Sequence, residues 1–582
     1  MSTLDWVVLC GTLCCIIAYG LYRSRSTKDL DGYFRSNRNM PWGLILLSIM
    51  GTQASAITFL SAPGQAYTDG MRFVQYYFGL PLAMIVIAIF FVPVYQRLQV
   101  FTAYEYLEKR FDGKTRALTS FLFLLQRGLS TGISVFAPSI ILSSILGWSL
   151  TATSILMGGL LIIYTLSGGA RAVAYTQQLQ WIIIFLGLFL AGVIVVQLLP
   201  SQFGFTDALR IGGKMGKFSI ITSGFKQGSF DWSDTYNIWS GLIGGFFLAL
   251  SYFGTDQSQV GRYLTARSLK ESRMGLLMNG IIKVPLQFLI LLLGVLVFSF
   301  YQFNRAPIFF NTVELEKLRV HPRLADSVQA VEHQFAKVAL QKQQLLQQYA
   351  TQITTTSDNT ASRQWVDSLR QLQHRGDSLR QKVKTWIFAT SSPGAGNDTN
   401  YIFLRFVMDY LPPGLVGLLI AIIFLASWGS IAAAIHSLAT CTMIDFHRRY
   451  STKTLTDQIA FRWSRFYTLA WGIFCIVVAL FTYNIGNSLI EAVNILGSLF
   501  YGVVLGIFCV ALFFPFIKHG AIVFWAALLA ELVVVLVFYL NQAGFVKFAF
   551  LWLNPLGACT VVLLACLGHL AAKWSQTVRV AA

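Results

Sequence analysis

Long runs of apolar residues are the feature that most constrains what this chain can fold into. A transmembrane helix needs about 20 consecutive, largely apolar residues. Only 12% of the residues are charged, against about 25% in soluble proteins. These features exclude an ordinary cytosolic enzyme, a disordered chain and a secreted disulfide scaffold, and predict an all-α polytopic membrane protein with about 13 transmembrane helices. The runs lie near 5–22, 41–62, 73–96, 117–146, 150–166, 175–199, 238–256, 275–302, 401–443, 463–483, 487–516, 520–540 and 549–572.

The charges that flank the first run predict the orientation of the chain. Asp5 precedes the run, and Arg23, Arg25 and Lys28 follow it, whereas a signal peptide carries its positive charge in front. Because basic residues collect in cytoplasmic loops, we expect the N-terminus outside and the C-terminus in the cytoplasm. The net charge of +19 is then a consequence of membrane topology. It predicts a multi-pass protein of the plasma membrane (the inner membrane of a bacterium), in contact with lipid and with no nucleic-acid partner.

The cysteines and the known catalytic motifs argue against enzyme chemistry. All eight cysteines lie in or beside apolar runs, without metal-ligand spacing to histidine, so neither a disulfide framework nor a zinc site is predicted. The sequence has no recognisable phosphate loop, nucleophile constellation or ATPase domain. We therefore expect no enzyme activity and no organic cofactor.

One polar segment, 303–400, is predicted to form an extracytoplasmic helical hairpin. Apolar residues recur in steps of three and four in two successive stretches, with Lys342 and Gly376 as gaps, which is typical of two helices packed along a seam. The turn is predicted at 351–362. The segment is interpreted either as a docking platform for a partner or as a self-contained hairpin. The predicted seam residues are Val328, Val331, Phe335, Val338, Leu345, Tyr349, Trp365, Leu369, Leu372, Leu379, Val383 and Trp386.

Two spans contain small and polar residues where a continuous apolar helix would be expected. The stretch 51–56 interrupts the second run, and 252–257 ends the seventh. In many secondary transporters such unwound segments point carbonyls at a cation, and half-helix ends face the substrate. The second to sixth spans and the seventh to eleventh spans then form two sets of five with opposite orientation. The alternative is that Gly51 and Gly254 only allow close helix packing.

At these residues the chain resembles the sodium/solute symporter family, which includes the sodium–glucose, sodium–proline and sodium–monocarboxylate carriers. The motifs that carry the resemblance begin at Gly51 (GTQASAITFL), Tyr106 (YLEKRF), Ser167 (SGGARAV), Asp256 (DQSQVGRYL) and Ala439 (ATCTMID). The resemblance implies a five-plus-five inverted-repeat core with broken helices. The expected domains are an N-terminal helix and cytoplasmic loop (1–40), the first repeat with the start of the second (41–302), the hairpin insert (303–400), the rest of the second repeat (401–516), and C-terminal helices with a cytoplasmic tail (517–582).

The resemblance also implies a sodium site between the second and ninth spans. The second span would supply the carbonyls of Gly51 and Ala54, and the ninth the carbonyl of Ala426 and hydroxyls at positions 429 and 430. Oxygen ligands suit a hard cation. However, Gly429 has no hydroxyl, so only Ser430 remains there, and a water or Ser427 would have to substitute. In the sixth span Gln177 follows Thr176 where family members often carry an aspartate, which argues against a second cation.

The substrate pocket implied by the resemblance comprises Gln53, Ile57, Thr58, Tyr77, Asp256, Lys283 and Glu491. Ile57 and Tyr77 replace polar residues of the sugar carriers, so a glucose-type pocket is not reproduced. The three ionisable residues of this set are expected near the membrane midplane, where they would bind a polar, hydroxylated or zwitterionic solute. Alternatively, Lys283 pairs with Asp256 and only holds two helices together. Two further polar residues, Glu531 and His436, are interpreted as structural.

These observations predict a secondary active transporter that couples sodium entry to the symport of a small polar organic solute by alternating access, and that is able to function as a monomer. Two alternatives stay open. A proton-coupled or ion-independent carrier is suggested by Gly429 and Gln177. A symporter-like solute sensor would act through the 303–400 hairpin and would need a separate signalling partner.

Overall fold

The computed structural model describes residues 1–24, 39–353, 359–391, 393–451, 456–482 and 488–581, and the backbone alone for 17, 20–21, 23–24, 167–175, 349–353, 359–363, 393–394, 457 and 575–581. Arg25, Lys28, Lys453 and the middle of the predicted hairpin turn therefore lie outside the described residues. So do the side chains of Arg23, of the predicted seam residue Tyr349 and of the motif that begins at Ser167. Among the described residues, nine helices are long and apolar enough to cross a membrane. This is the architecture of a multi-pass, nearly all-helical membrane protein, as predicted.

The helices follow one another with short connections, and the only strands described, β1 (Phe225–Lys226) and β2 (Ser229–Phe230), form a small antiparallel hairpin. The α-helices are α1 (Thr3–Ser24), α2 (Trp42–Gln53), α3 (Ala56–Asp69), α4 (Leu80–Val86), α5 (Val92–Leu98), α6 (Glu105–Arg110), α7 (Gly113–Leu146), α8 (Leu150–Gln197), α9 (Phe205–Lys214), α10 (Gly245–Gly254), α11 (Gln257–Tyr263), α12 (Leu269–Phe303), α13 (Thr312–Arg319), α14 (Ala325–Ile353), α15 (Asn359–Thr390), α16 (Ile402–Tyr410), α17 (Leu415–Cys441), α18 (Arg448–Tyr450), α19 (Asp457–Thr482), α20 (Leu489–Phe513), α21 (Gly520–Gln542) and α22 (Leu553–Ala581). Turns of 3-10 helix occupy Gly70–Tyr77, Pro393–Gly396, Thr399–Tyr401 and Phe550–Trp552, and π-helical turns occupy Ile87–Phe91, Ser240–Gly244 and Thr442–His447.

Both predicted helix breaks are confirmed. The second run is divided between α2 and α3 at Ala54 and Ser55. The seventh is divided between α10 and α11 at Thr255 and Asp256, and Asp256 caps the second half by accepting a hydrogen bond from the Ser258 amide. Glycine and small polar residues lower helix propensity at both places. Helical hydrogen bonding is therefore interrupted inside the second apolar run and at the end of the seventh.

The ninth run is also broken, as its length suggested. Two prolines precede Gly414, whose φ of 88° is open to glycine at little cost, and α17 begins directly afterwards. Asp5 of α1 lies against this new helix start. Its Oδ1 accepts hydrogen bonds from the amides of Gly414 (2.7 Å) and Gly417 (3.2 Å). The first helix is thus attached to the N-terminal end of α17.

The structure differs from the sequence prediction between the fifth and sixth runs. A single helix of 48 residues, α8, covers both 150–166 and 175–199. This helix is not straight, because Tyr164 Oη lies 3.0 Å from Thr176 Oγ1, whereas residues 12 apart in a straight helix are separated by about 18 Å. Tyr164 and Gln177 also approach neighbouring residues of a later helix, Trp428 and Gly429. The chain is therefore sharply bent between the fifth and sixth runs, which lie side by side, although helical backbone continues through the predicted loop.

The predicted hairpin is confirmed, with α14 packed against α15. Val328, Val331, Phe335 and Val338 share a buried cluster with Leu379 and Val383. The two gaps also contribute to the packing. Lys342 donates a hydrogen bond to Gln373 Oε1 (2.6 Å), and the position that a Cβ would take on Gly376 lies 3.6 Å from the Phe335 ring. Chain segments on either side complete the cluster with Ile308, Phe309, Leu315, Leu318 and Ala395.

A buried carboxylate joins the end of the hairpin to the segment that precedes it. Asp398 is 1% exposed, and its Oδ2 accepts hydrogen bonds from Arg380 and from the Phe310 amide, both at 2.9 Å. Lys384 Nζ lies 3.0 Å from Oδ1. Burial alone would raise the pKa of Asp398, but Arg380 and Lys384 outweigh it and hold the pKa below its ordinary value. The hairpin is therefore anchored by charge as well as by its apolar seam.

Candidate transport site

The break between α2 and α3 frees two carbonyl oxygens. In an unbroken helix the Ser55 amide would donate to Gly51, and the Thr58 amide to Ala54. Here Ser55 donates to the Gln53 carbonyl and Thr58 to the Ser55 carbonyl, both at 3.0 Å. The carbonyls of Gly51 and Ala54 are thus without their helical partners. These are the two second-span oxygens expected to bind sodium.

The ninth span presents its candidate ligands on a continuous helix. Ala426, Gly429 and Ser430 all lie in the buried middle of α17. Ser430 Oγ donates to the Ser427 carbonyl at 3.0 Å, which leaves the lone pairs of the hydroxyl oxygen available to a cation. Ser427 Oγ donates in the same way to the Ile423 carbonyl. Among the described residues, no group of three or more His, Cys, Asp or Glu side chains is placed to hold a metal, so any cation here depends on carbonyls and hydroxyls.

A glutamine from α8 lies between the two glycines of the candidate site. The position that a Cβ would take on Gly51 is 2.8 Å from the Gln177 side chain, and the corresponding position on Gly429 is 3.4 Å from it. Gln177 accepts a hydrogen bond from Ser48 Oγ (3.2 Å) and donates to the Gly429 carbonyl (3.4 Å). Gln180 Oε1 lies 2.9 Å from that second position. Glutamine side chains from α8 therefore occupy the space that a side chain at position 429 would fill.

A cavity of about 160 Å³ adjoins the break. It is bordered by residues of the break (Thr52, Gln53 and Ser55) and by Ser430 of α17. Five of the seven predicted substrate residues line it: Gln53, Ile57, Thr58, Tyr77 and Lys283. Gln53 is also held by Asn279, to whose Oδ1 it donates at 3.2 Å. The candidate ion site and the candidate solute site therefore share the broken end of α2.

Asp256 lies behind the cavity wall rather than on it. It is 1% exposed, and its Oδ2 accepts a hydrogen bond from Tyr501 (2.7 Å) while Oδ1 accepts from the amide and hydroxyl of Ser258. Its cationic neighbour is Arg127, with Nη1 3.8 Å from Oδ2. The alternative in which Asp256 pairs with Lys283 is thus not what the structure shows. The ion pair joins α7 to the start of α11 instead.

Among the predicted site residues, Glu491 differs most from its predicted position. It occupies the first turn of α20, so the prediction of a position in the middle of a span is wrong. It borders a separate cavity together with Asp69 at the end of α3 and Lys384 of the hairpin. An apolar run shows that a helix crosses the membrane, but it does not show at which residue the helix begins. The start of the helix decides how far Glu491 lies from the middle of the membrane.

Arg127 lies inside the fourth apolar run (117–146), and the structure places it in the cavity wall. Its side chain is 11% exposed, and its guanidinium lies 5.7 Å from the centre of the Tyr252 ring. The signal that would have found it is the presence of a charge inside a span, which marks a functional position by default.

A broken-helix core around a partly open cavity with polar and basic side chains in its wall, within a bundle of apolar helices, defines a multi-pass membrane protein of the transporter class. The model of the sodium:solute symporter family matches residues 33–331, just over half of the chain. The chain belongs to this family.

The relatives agree with this assignment. The sodium-dependent multivitamin transporter of Oryctolagus cuniculus is 27% identical over 85% of this chain and 64% of its own length. The sodium/sialic acid symporter SiaT of Proteus mirabilis is 30% identical over 53% of this chain and 61% of its own. The human sodium-coupled monocarboxylate transporter 1 is 29% identical over 47% and 44%. The chain thus spans less than two thirds of the length of these relatives.

The same fold occurs in a solved structure. A Na⁺-coupled sialic acid symporter in a substrate-bound, outward-open state aligns over 98% of both chains with a TM-score of 0.73 and 21% identity. At this identity the likeness shows the fold alone.

Proposed function

We propose that this protein is a sodium-coupled symporter that carries a small polar organic solute across the plasma membrane by alternating access. The observation that carries the proposal is the break at Ala54 and Ser55. It frees two carbonyls next to the cavity that Ser430 also lines. The sodium-coupled relatives support the choice of ion.

The proposed sodium ligands are the carbonyls of Gly51, Ala54 and Ala426 and the hydroxyl of Ser430. With no hydroxyl at Gly429 and with Gln177 in the adjacent space, we propose a single coupled ion. When the solute carries no net charge, one sodium ion that moves inward with it through 100 mV releases about 2.3 kcal/mol, which corresponds to a roughly fiftyfold concentration ratio of solute. One ion is therefore sufficient for useful accumulation.

The proposed cycle follows from which elements the ion joins. Sodium bound between α2 and α17 holds the two repeats together and favours the outward-open state. Solute in the cavity then contacts residues of both repeats, including Gln53 and Lys283, and closure becomes favourable. Loss of the ion to the cytoplasm releases the contacts between α2 and α17, and the solute follows.

The topology and the domain division are part of the same proposal. An N-terminus outside the cell, repeats in 41–302 and 401–516, and an extracytoplasmic 303–400 insert together place the broken helices at equivalent positions of two inverted halves. The hairpin seam is filled by the chain's own residues, which favours a self-contained insert over a signalling platform.

The experiment that tests the proposal is uptake by proteoliposomes of sugars, sialic acids, amino acids and carboxylates, with and without an inward sodium gradient. Ser430→Ala removes the one hydroxyl of the ion site, and we expect it to raise the half-saturating sodium concentration at least fivefold. Ser437→Ala is the matched control, since Ser437 makes a hydrogen bond within the same helix, to the Ala433 carbonyl. Equal sodium dependence in both variants would contradict the site. Uptake that ignores sodium would instead support a proton-coupled or ion-independent carrier.

A further inference from the structure

The residues that line the cavity include more basic than acidic side chains. Two of them, Arg127 and Lys283, are basic, and none is acidic. Asp256 lies nearby but outside the lining, so the cavity and its immediate surroundings carry a formal charge of about +1. The other polar groups of the wall are neutral amides and hydroxyls, such as Gln53, Thr58 and Ser130. A cavity with an excess of positive charge is suited to an anionic ligand.

Arg127 keeps hydrogen-bonding capacity that the protein does not use. Its Nε is buried and has no hydrogen-bond partner among the described residues. Asp256, the nearest carboxylate, is 3.8 Å away, beyond the usual length of a hydrogen bond. The carboxylate of Asp256 is already satisfied by Tyr501 and Ser258. The other contact of the guanidinium is with Tyr252, so the Nε donor is the one left without a partner among the described residues.

Lys283 is the second cation of the lining. It is 2% exposed, in the middle of α12. Its Nζ lies 5.7 Å from the centre of the Tyr77 ring, and within the described part of the chain no carboxylate lies within 4.0 Å of it and no hydrogen bond is made. A buried ammonium that lacks a counter-ion is unfavourable, and a bound anion would remove that cost.

We infer that the transported solute carries a carboxylate, and that Arg127 and Lys283 bind it. This inference rests on the proposed function and names its substrate class. With one sodium ion, a singly charged carboxylate moves no net charge, so its accumulation is driven by the sodium concentration gradient rather than by the membrane potential. A planar guanidinium matches the two oxygens of a carboxylate, while the neutral amides and hydroxyls of the wall suit an uncharged polar remainder. The two cations come from α7 and α12, on separate elements of the bundle, so an anion between them also joins those elements.

The test compares carboxylates with uncharged analogues of similar shape. Uptake by proteoliposomes is measured for four radiolabelled pairs, with and without a sodium gradient. The pairs are lactate and lactamide, nicotinate and nicotinamide, pantothenate and pantothenol, and N-acetylneuraminate and N-acetylmannosamine. We expect at least one carboxylate to be taken up with a tenfold or greater preference over its partner. Equal or better uptake of the uncharged partners, or no uptake of any carboxylate, would overturn the inference.

Variants then assign the preference to the two side chains. Lys283→Gln leaves no partner unpaired, so it is the variant expected to fold, and we expect a tenfold or greater rise in KM for the transported carboxylate. Arg127→Gln should have an equal or larger effect, which Arg127→Lys partly restores. Arg210→Gln, at an exposed outer position, is the control for charge. A KM within twofold of the wild type in both Gln variants would overturn the assignment. Carboxylate preference without sodium dependence would refute the proposed coupling and leave this inference standing.

Discussion

Replacing Asp398 by alanine should loosen the hairpin from the transporter core. Asp398 is 1% exposed and lies against Arg380, Lys384 and the Phe310 amide. Removing one partner of a buried ion pair costs about 3–5 kcal/mol, mainly because the remaining charge is left buried and unpaired. Arg380 is 13% exposed and stays buried over the Phe310 ring, whereas Lys384 is 26% exposed and turns to water more easily. We therefore expect about 3 kcal/mol, the lower end of this range.

Hydrogen exchange of the purified protein measures this effect locally. Backbone amides of α14 and α15 should lose protection in Asp398→Ala, while those of α17 and α20 should not. Asp367→Ala is the control, because Asp367 is 68% exposed and lies 3.8 Å from Arg370; such pairs contribute little. The wild type should lose the same protection in acid. The pKa of Asp398 is lowered in the folded state, so its stabilisation is present at neutral pH and is lost as the pH falls below about 4. Unchanged exchange in Asp398→Ala would refute the anchor.

Three further outcomes follow from the packing and the charges. Gly51→Ala should destabilise the protein by about 1–3 kcal/mol, because a Cβ there would lie 2.8 Å from a glutamine side chain. Gly43→Ala is the control and should not destabilise it, since a Cβ at that position would have nothing within 4 Å. Thermal unfolding in detergent distinguishes the two variants. Tyr501→Phe removes a hydroxyl donor from the buried carboxylate of Asp256 and should cost about 1–3 kcal/mol by the same measurement. Burial lowers the pKa of Lys342 to about 8, so hairpin protection should rise between about pH 8 and 10, where the folded protein has released the proton that the unfolded chain still holds; a Lys342→Met variant that keeps the same rise would contradict this.

The parts of the fold that depend on local chemistry could be predicted from the sequence. The break at Ala54 and Ser55 follows from small and polar residues inside an apolar run. The hairpin follows from the three–four spacing of Val328, Val331 and Phe335, whose burial the structure confirms. Each of these features is decided by residues close together in the chain.

The parts that depend on which helices meet could not be predicted in the same way. Lys283 was the cationic partner considered for Asp256, and the placement of α7 against α11 brings Arg127 to it instead. Gln177 looked like the loss of a cation ligand, but its contacts with Gly51 and Gly429 show that it fills the space between the second and ninth spans. Such packing joins residues more than 100 positions apart, and no local pattern records it.

The number of sodium ions that enter with each solute molecule tests the central claim most directly. A membrane potential is imposed across the membrane of the proteoliposomes, and the fluxes of radioactive sodium and of the transported solute are measured in the same vesicles. We expect solute to enter only with sodium, in a ratio of one to one, and the sodium flux to require the solute. Solute entry at the same rate when potassium or choline replaces sodium would contradict the claim.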